Sequence, residues 1–166
     1  MNINEKYMLE AYKEAKKAYN LNEVPVGCVI VCDDKIVARG YNLRNTKKNV
    51  LYHAEIVAIN KACKKLNKWI LDDCTIYVTM EPCIMCAGAI LQSRMKKVVY
   101  GIPQDRYGCV DTMMKLFTDF PFNNSPVVEK GIMENEIKTL VNQFFVKMRE
   151  DKKNNIDKSN QKWYNK

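Results

Sequence analysis

Two short stretches bring together residue types that can bind a metal and move a proton. One is His53-Ala54-Glu55 in "LYHAEIVAIN", the other Pro82-Cys83-Ile84-Met85-Cys86 in "VTMEPCIMCAGA". Pro82 fixes its own φ and has no N–H, so it suits the first turn of a helix, and it pushes Glu81 toward an extended backbone. The spacing predicts Cys83 at a helix start and Cys86 one turn further along the same face. Unpaired N–H groups and the helix dipole favour thiolates there. Two such sulfurs make half of a tetrahedral site. His53 is the single histidine of the chain, and it too stands at the start of a predicted helix. A lone histidine more commonly has a structural or surface role. With Glu55 two residues on and the cysteine pair downstream, His53 is the expected third ligand.

Three protein ligands, His53, Cys83 and Cys86, leave a fourth position for water, which is the arrangement of a catalytic zinc rather than a closed structural one. Two thiolates and a neutral imidazole balance Zn²⁺, so water at that position ionises with a pKa lowered toward ~7. Glu55 is then best left off the metal, to act as general base and afterwards as general acid. Alone, Glu55 would read as a first-turn acid complementing its helix dipole. The combination H-x-E…P-C-x-x-C outweighs that reading.

These residues need elements to hold them. Met8, Ala11, Ala15 and Ala18 recur at helical spacing, so the chain opens with an amphipathic helix. "PVGCVIVCDDKIVARGYN" reads as a hairpin around an Asp-Asp-Lys turn, and the unbroken apolar run from Val26 to Cys32 predicts a strand covered on both faces. Ala54, Ala58, Ala62 and Leu66 predict a second helix, "CTIYVTM" a third strand, Ile84 to Gln92 a third helix and "KKVVYG" a fourth strand. The stretch from Ile102 to Pro126 reads as loop with a short helix, and "VVEKG" as a last short strand. Ile137, Leu140, Val141, Phe144, Phe145 and Met148 form the apolar stripe of a closing helix. Apolar strands interleaved with helices imply a three-layer α/β/α sandwich on a mixed sheet of about five strands.

The 166 residues suit one domain, expected over 1–150, followed by a basic and disordered tail at 151–166. Between Lys147 and Lys166 seven Lys or Arg stand against three Asp or Glu, so that half of the net charge of +8 lies there. Such a balance suits a polyanionic partner, or equally a solvated end. No apolar run is long enough to span a membrane, and the first twenty residues hold no signal-type apolar stretch, so a cytoplasmic protein is expected. Seven cysteines, an odd number, argue against a complete disulfide framework. Cys28, Cys32, Cys63, Cys74 and Cys109 are expected to pack as small apolar residues, with Cys109 the most exposed.

The pattern H-x-E…P-C-x-x-C is the established signature of zinc nucleobase deaminases. Together with "NEVPVGCVIV", "HAEIVAIN", "YVTMEPCIMCAGAI" and "SRMKKVVYG", the chain resembles bacterial-type tRNA adenosine deaminases from about residue 5 to 150, and also the catalytic subunit of the eukaryotic two-subunit enzyme. The resemblance implies a cytidine deaminase-like fold, a homodimer, and conversion of the wobble adenosine of a tRNA anticodon loop to inosine. In that reaction zinc-activated water adds to C6 of a flipped-out adenine, Glu55 carries protons to N1 and to the departing amine, and ammonia leaves. It further implies that Asn42 contacts the base, that Ala54 offers backbone contacts to it, that Val26 walls the pocket, and that the final helix with Phe144 and Phe145 helps hold RNA.

Read as residues, Asn42 also fits a strand-ending turn, Val26 fits sheet core, and at most one of Phe144 and Phe145 can turn outward. The chain departs from the bacterial pattern at Asn49-Val50-Leu51-Tyr52, where an Asp-Pro and small residues are usual, and a bulky Tyr52 there has room to reshape the pocket mouth. It departs again at Gln104, where an acid is common and Asp105 follows one place later. Two alternatives stand beside this reading: a deaminase of a free base or nucleotide of guanine or cytosine type, and a non-catalytic zinc-containing RNA-binding module.

Overall fold

The computed structural model describes the backbone of residues 1–164 and the side chains of residues 1–155. Helix α1 (Ile3–Asn20) is closed at its start by a capping box between Asn2 and Glu5. Strands β1 (Gly27–Cys32) and β2 (Lys35–Tyr41) form the expected hairpin. Asp33 and Asp34 turn it with φ of 48° and 57°, the left-handed pair that matches strand twist in a two-residue turn. A short α2 (Arg44–Lys47), which carries no periodic signal, precedes α3 (Ala54–Leu66). Then come β3 (Cys74–Met80), α4 (Ile84–Gln92), β4 (Lys97–Ile102), α5 (Leu116–Asp119), β5 (Val127–Lys130) and α6 (Glu134–Tyr164). Helix α6 runs past Asp151, where the sequence places the start of the tail, and the side chains from 156 onward lie outside the described residues.

The sheet has the order β2-β1-β3-β4-β5. Strand β1 pairs antiparallel with β2 and β3, while β3–β4 and β4–β5 are parallel, so the sheet is mixed as expected. Alternation along β1 splits the core in two. Cys28 and Ile30 point to the side of α3 and α4, where they meet Ala54, Ala58, Ala87 and Ile90. Val29 and Val31 point to the side of α1 and α6, against Tyr7, Met8, Ala11, Ile137 and Val141. This is the three-layer α/β/α sandwich of the sequence reading, and every residue of β1 is buried because helices cover both its faces.

Gly40 sets how close α3 lies to the sheet. A Cβ there would collide with the Ala54 carbonyl oxygen, at the first turn of α3. Glycine in β2 and alanine in α3 together draw the His53 end of that helix down onto the sheet.

Two cysteine expectations are corrected. Cys32 and Cys74 are opposite one another in the β1–β3 register, with Cα atoms 4.5 Å apart, and are joined as a disulfide rather than packed as free thiols. Their separation of 42 residues hides this pairing from a sequence reading. Cys109 is buried, not exposed, because its loop folds back so that the Cys109 N–H donates to the Pro82 carbonyl oxygen. Among the described residues no helix is long and apolar enough to cross a membrane.

Candidate active site

Helices α3 and α4 both begin at the same end of the sheet, each with a potential metal ligand as N-cap. His53 caps α3 with φ −76° and ψ 152°, and Cys83 caps α4 with φ −74° and ψ 175°; neither side chain bonds to its own helix N–H groups. Each side chain is therefore free to point across to the other element. Pro82 lies just ahead of the cap rather than inside the first turn. Cys86 sits in the first turn of α4, fully buried.

The sulfurs of Cys83 and Cys86 are each 3.7 Å from His53 Nδ1. A tetrahedral zinc with bonds of about 2.3 Å to sulfur and about 2.1 Å to nitrogen separates such donors by about 3.6 Å. His53, Cys83 and Cys86 thus fit the metal in donor type and spacing, and their ligand atoms all lie within 4.8 Å of one another. The three side chains perturb one another's protonation. A hydrogen bond from Cys86, with His53 adding to it, holds the Cys83 thiol well below its ordinary range. The Cys86 thiol is pushed up by the proton it shares with Cys83 and by burial. Hydrogen bonding to Cys83 raises His53, against the effect of its own burial.

Glu55 lies next to this cluster and is 4% exposed. Burial pushes its carboxyl up to about 7, and the nearby Cys83 charge adds to the shift. Glu55, His53 and Cys83 line a cavity of about 420 Å³, within the size range of small-ligand sites.

The other sequence-derived residues are distributed around the same space. Asn42, Ala54 and Val26 all line the cavity. Asn42 performs the turn role as well. Its Nδ2 donates to Val24 O at 3.3 Å and its Oδ1 accepts from Arg44 N at 3.4 Å, while its N–H donates to Val26 O at 3.1 Å. Two long bonds leave its carboxamide with capacity for a further partner. Phe145 lines the cavity and is 43% exposed, whereas Phe144 is buried against Tyr19 with ring centroids 6.0 Å apart. Adjacent helix residues cannot share a face, so one aromatic belongs to the pocket and the other to the core. In the departing stretch 49–52 it is Val50, not Tyr52, that lines the cavity.

Two acids escaped the sequence reading. Glu23 is fully buried, and its Oε1 accepts from Thr46 N at 2.6 Å, which ties α2 to the turn before β1. Glu81 is buried directly ahead of the Pro-Cys pair and accepts hydrogen bonds from the segment 104–112 on the far wall of the cavity. Their partners lie more than twenty residues away in sequence, and no local pattern signals them.

What the two helix starts bring together is a His-Cys-Cys set that could hold a metal ion, in the donor types that zinc nucleobase deaminases use. Residues 1–102 match the family described as the cytidine and deoxycytidylate deaminase zinc-binding region. The tRNA-specific adenosine deaminase of Bacillus subtilis (strain 168) is 45% identical over 153 residues, 92% of this chain and 95% of that protein. The chain belongs to this zinc-binding deaminase family, in its branch of tRNA-specific adenosine deaminases. A solved chain from a structural study of A-to-I editing by tRNA deaminases at the wobble position superposes with a TM-score of 0.79 at 35% identity, covering 81% of this chain and 98% of that one. Guanine deaminase from Bacillus subtilis superposes with a TM-score of 0.58 at 42% identity, covering 62% of this chain and 66% of that one.

Proposed function

We propose that the chain catalyses hydrolytic deamination of the wobble adenosine of a tRNA anticodon loop to inosine, with release of ammonia. The observation that carries this reading is the convergence of His53, Cys83 and Cys86 beside a buried Glu55 at a base-sized cavity, in a chain so similar to a tRNA-specific adenosine deaminase. His53, Cys83 and Cys86 would hold one zinc ion per chain. When bound, zinc supplies Lewis-acid activation of water.

The remaining chemistry belongs to side chains and backbone. Glu55 takes a proton from the attacking water and delivers it to adenine N1, then takes the remaining proton of the hydroxyl added at C6 and passes it to the departing amine. Asn42 presents its carboxamide to a base edge, a pairing that suits adenine. Val26 and the Ala54 backbone line the path to the reacting carbon, and the exposed ring of Phe145 offers a stacking face to RNA. Phe144 supports that helix from the core. A net charge of +8 favours a polyanionic substrate over a free base, and an anticodon loop reduces the unstacking energy that base flipping requires.

Residues 1–150 are taken as the deaminase domain and 151–166 as a basic extension, and the compartment as cytoplasm. A homodimer is part of the proposal. Val50, Leu51 and Ile84 are apolar and exposed near the starts of α3 and α4, and a side chain at Gly88 of α4 would meet nothing within 4 Å, which leaves a face open to a second copy.

The likeness to guanine deaminase favours a second reading, deamination of a free purine. Both readings are tested by incubating the zinc-loaded chain with anticodon stem-loop RNA or with free purines and pyrimidines, followed by nucleoside chromatography. Inosine from the stem-loop is the expected product. Ammonia from free bases alone would reject the tRNA reading, and no turnover on any substrate would leave a zinc-containing RNA-binding module.

A further inference from the structure

Between β4 and α5 the segment from Pro103 to Lys115 has no regular element of its own, yet it forms one wall of the cavity through Gln104 and Tyr107. Its backbone needs another source of order. That source is the carboxylate of Glu81, which is 3% exposed. Oε1 accepts from Val110 N at 3.1 Å, Asp111 N at 2.7 Å and Thr112 N at 3.0 Å. Oε2 accepts from Gln104 N at 3.0 Å and from the Thr112 hydroxyl. Three successive N–H groups converging on one oxygen form a nest for an anionic group. Gly108 completes the fit, because a Cβ there would collide with the Glu81 carboxylate. Cys83 and Gly108 pair as an isolated bridge, and Cys109 N donates to Pro82 O at 2.9 Å, so the wall is fastened to the same three residues that lead into α4.

Resting on the RNA reading above, we propose that Glu81 is a positioning residue for substrate recognition. It locks the Gln104–Thr112 wall to the start of α4, so that Gln104 and Tyr107 stand at a fixed height over the metal-binding residues. Tyr107, 66% exposed at the cavity, becomes a pre-set stacking face for a nucleotide beside the target. Holding this wall in place before RNA arrives lowers the ordering cost of binding. The role concerns recognition of the flanking RNA and not proton transfer.

The test compares Glu81→Gln and Thr112→Val with the unaltered zinc-loaded chain on a stem-loop RNA. In Glu81→Gln the favourable amide orientation keeps one oxygen for the three N–H groups and turns an NH₂ toward Gln104 N, which loses its acceptor. KM for the stem-loop is expected to rise about tenfold while kcat changes by less than about threefold. Zinc content is expected to stay at the unaltered level, and trypsin to cut sooner after the exposed Arg106. Thr112→Val, outside the metal-binding element, is expected to shift the same quantities in the same direction by a smaller factor. An unchanged KM, or a fall in kcat in its place, overturns the proposal. So does loss of zinc from Glu81→Gln with Thr112→Val unaffected, because Glu81 would then serve the metal element alone. Should the unaltered chain form no inosine, the functional reading fails, and cleavage after Arg106 still decides the structural half: a rate unchanged in both variants overturns it.

Discussion

The sulfur of Cys83 lies 3.7 Å from Nδ1 of His53, although thirty residues separate them in sequence. Each is the N-cap of its helix, and neither side chain is spent on capping. The proposed metal-binding set is thus a meeting of two helix starts, and the depth of α3 on the sheet controls it.

Removal of one ligand is expected to release the metal rather than weaken the chemistry alone. Cys86→Ala deletes a fully buried donor, and a structure stabilised by its metal loses that contribution. Elemental analysis should find less than about a tenth of the zinc of the unaltered chain, and the thermal midpoint should fall to that of chelator-treated protein. Retention of full zinc would remove Cys86 from the ligand set.

Glu55→Gln is expected to separate binding from turnover. The amide is isosteric but cannot carry a proton, so inosine formation should fall by at least ~10²-fold. Zinc content and RNA affinity should stay near those of the unaltered chain. The amide also carries no charge to bury, and thermal denaturation should show a stability equal to or higher than before. Turnover within a few-fold of the original would deny Glu55 the proton-shuttle role.

Gly40→Ala probes the seating of α3. The added methyl meets the Ala54 carbonyl oxygen, which is backbone and cannot swing aside. Overpacking of this kind costs roughly 1–3 kcal/mol, measurable by urea denaturation. Because His53 and Glu55 ride on the displaced turn, kcat should fall more than KM rises.

The neighbouring phenylalanines of α6 should behave oppositely. Phe144→Ala empties a core position and is expected to destabilise by about 3–5 kcal/mol. Phe145→Ala, at the cavity, should change stability by less than about 1 kcal/mol and raise KM for the stem-loop instead. Equal effects on stability from both would contradict the orientation of this helix.

Elements with a strong local period were readable in advance: α3, β3 and α4 have the expected bounds, Ala54–Leu66, Cys74–Met80 and Ile84–Gln92. The helix start that carries Cys83 and Cys86 was equally legible, because Pro82 and the cysteine spacing report it through covalent geometry. Features made by register or by loop folding were not. Cys32 meets Cys74 only because β1 lies beside β3, Cys109 is buried by a loop without periodicity, and Glu81 looked like a mere pre-proline residue while its donors lay 23 to 31 positions downstream. The apolar stripe of α6 likewise gave a core face without saying which of two adjacent rings faced the cavity.

Oxygen labelling tests the central claim most directly. The purified chain, loaded with zinc, is incubated with an anticodon stem-loop RNA in oxygen-18 water, and the digested nucleosides are resolved by mass spectrometry. Hydrolysis by water activated beside Glu55 predicts inosine at the wobble position carrying one heavy oxygen, formed at least ~10²-fold more slowly by the Glu55→Gln chain. Adenosine left unconverted by the unaltered chain, or inosine without the label, would contradict it.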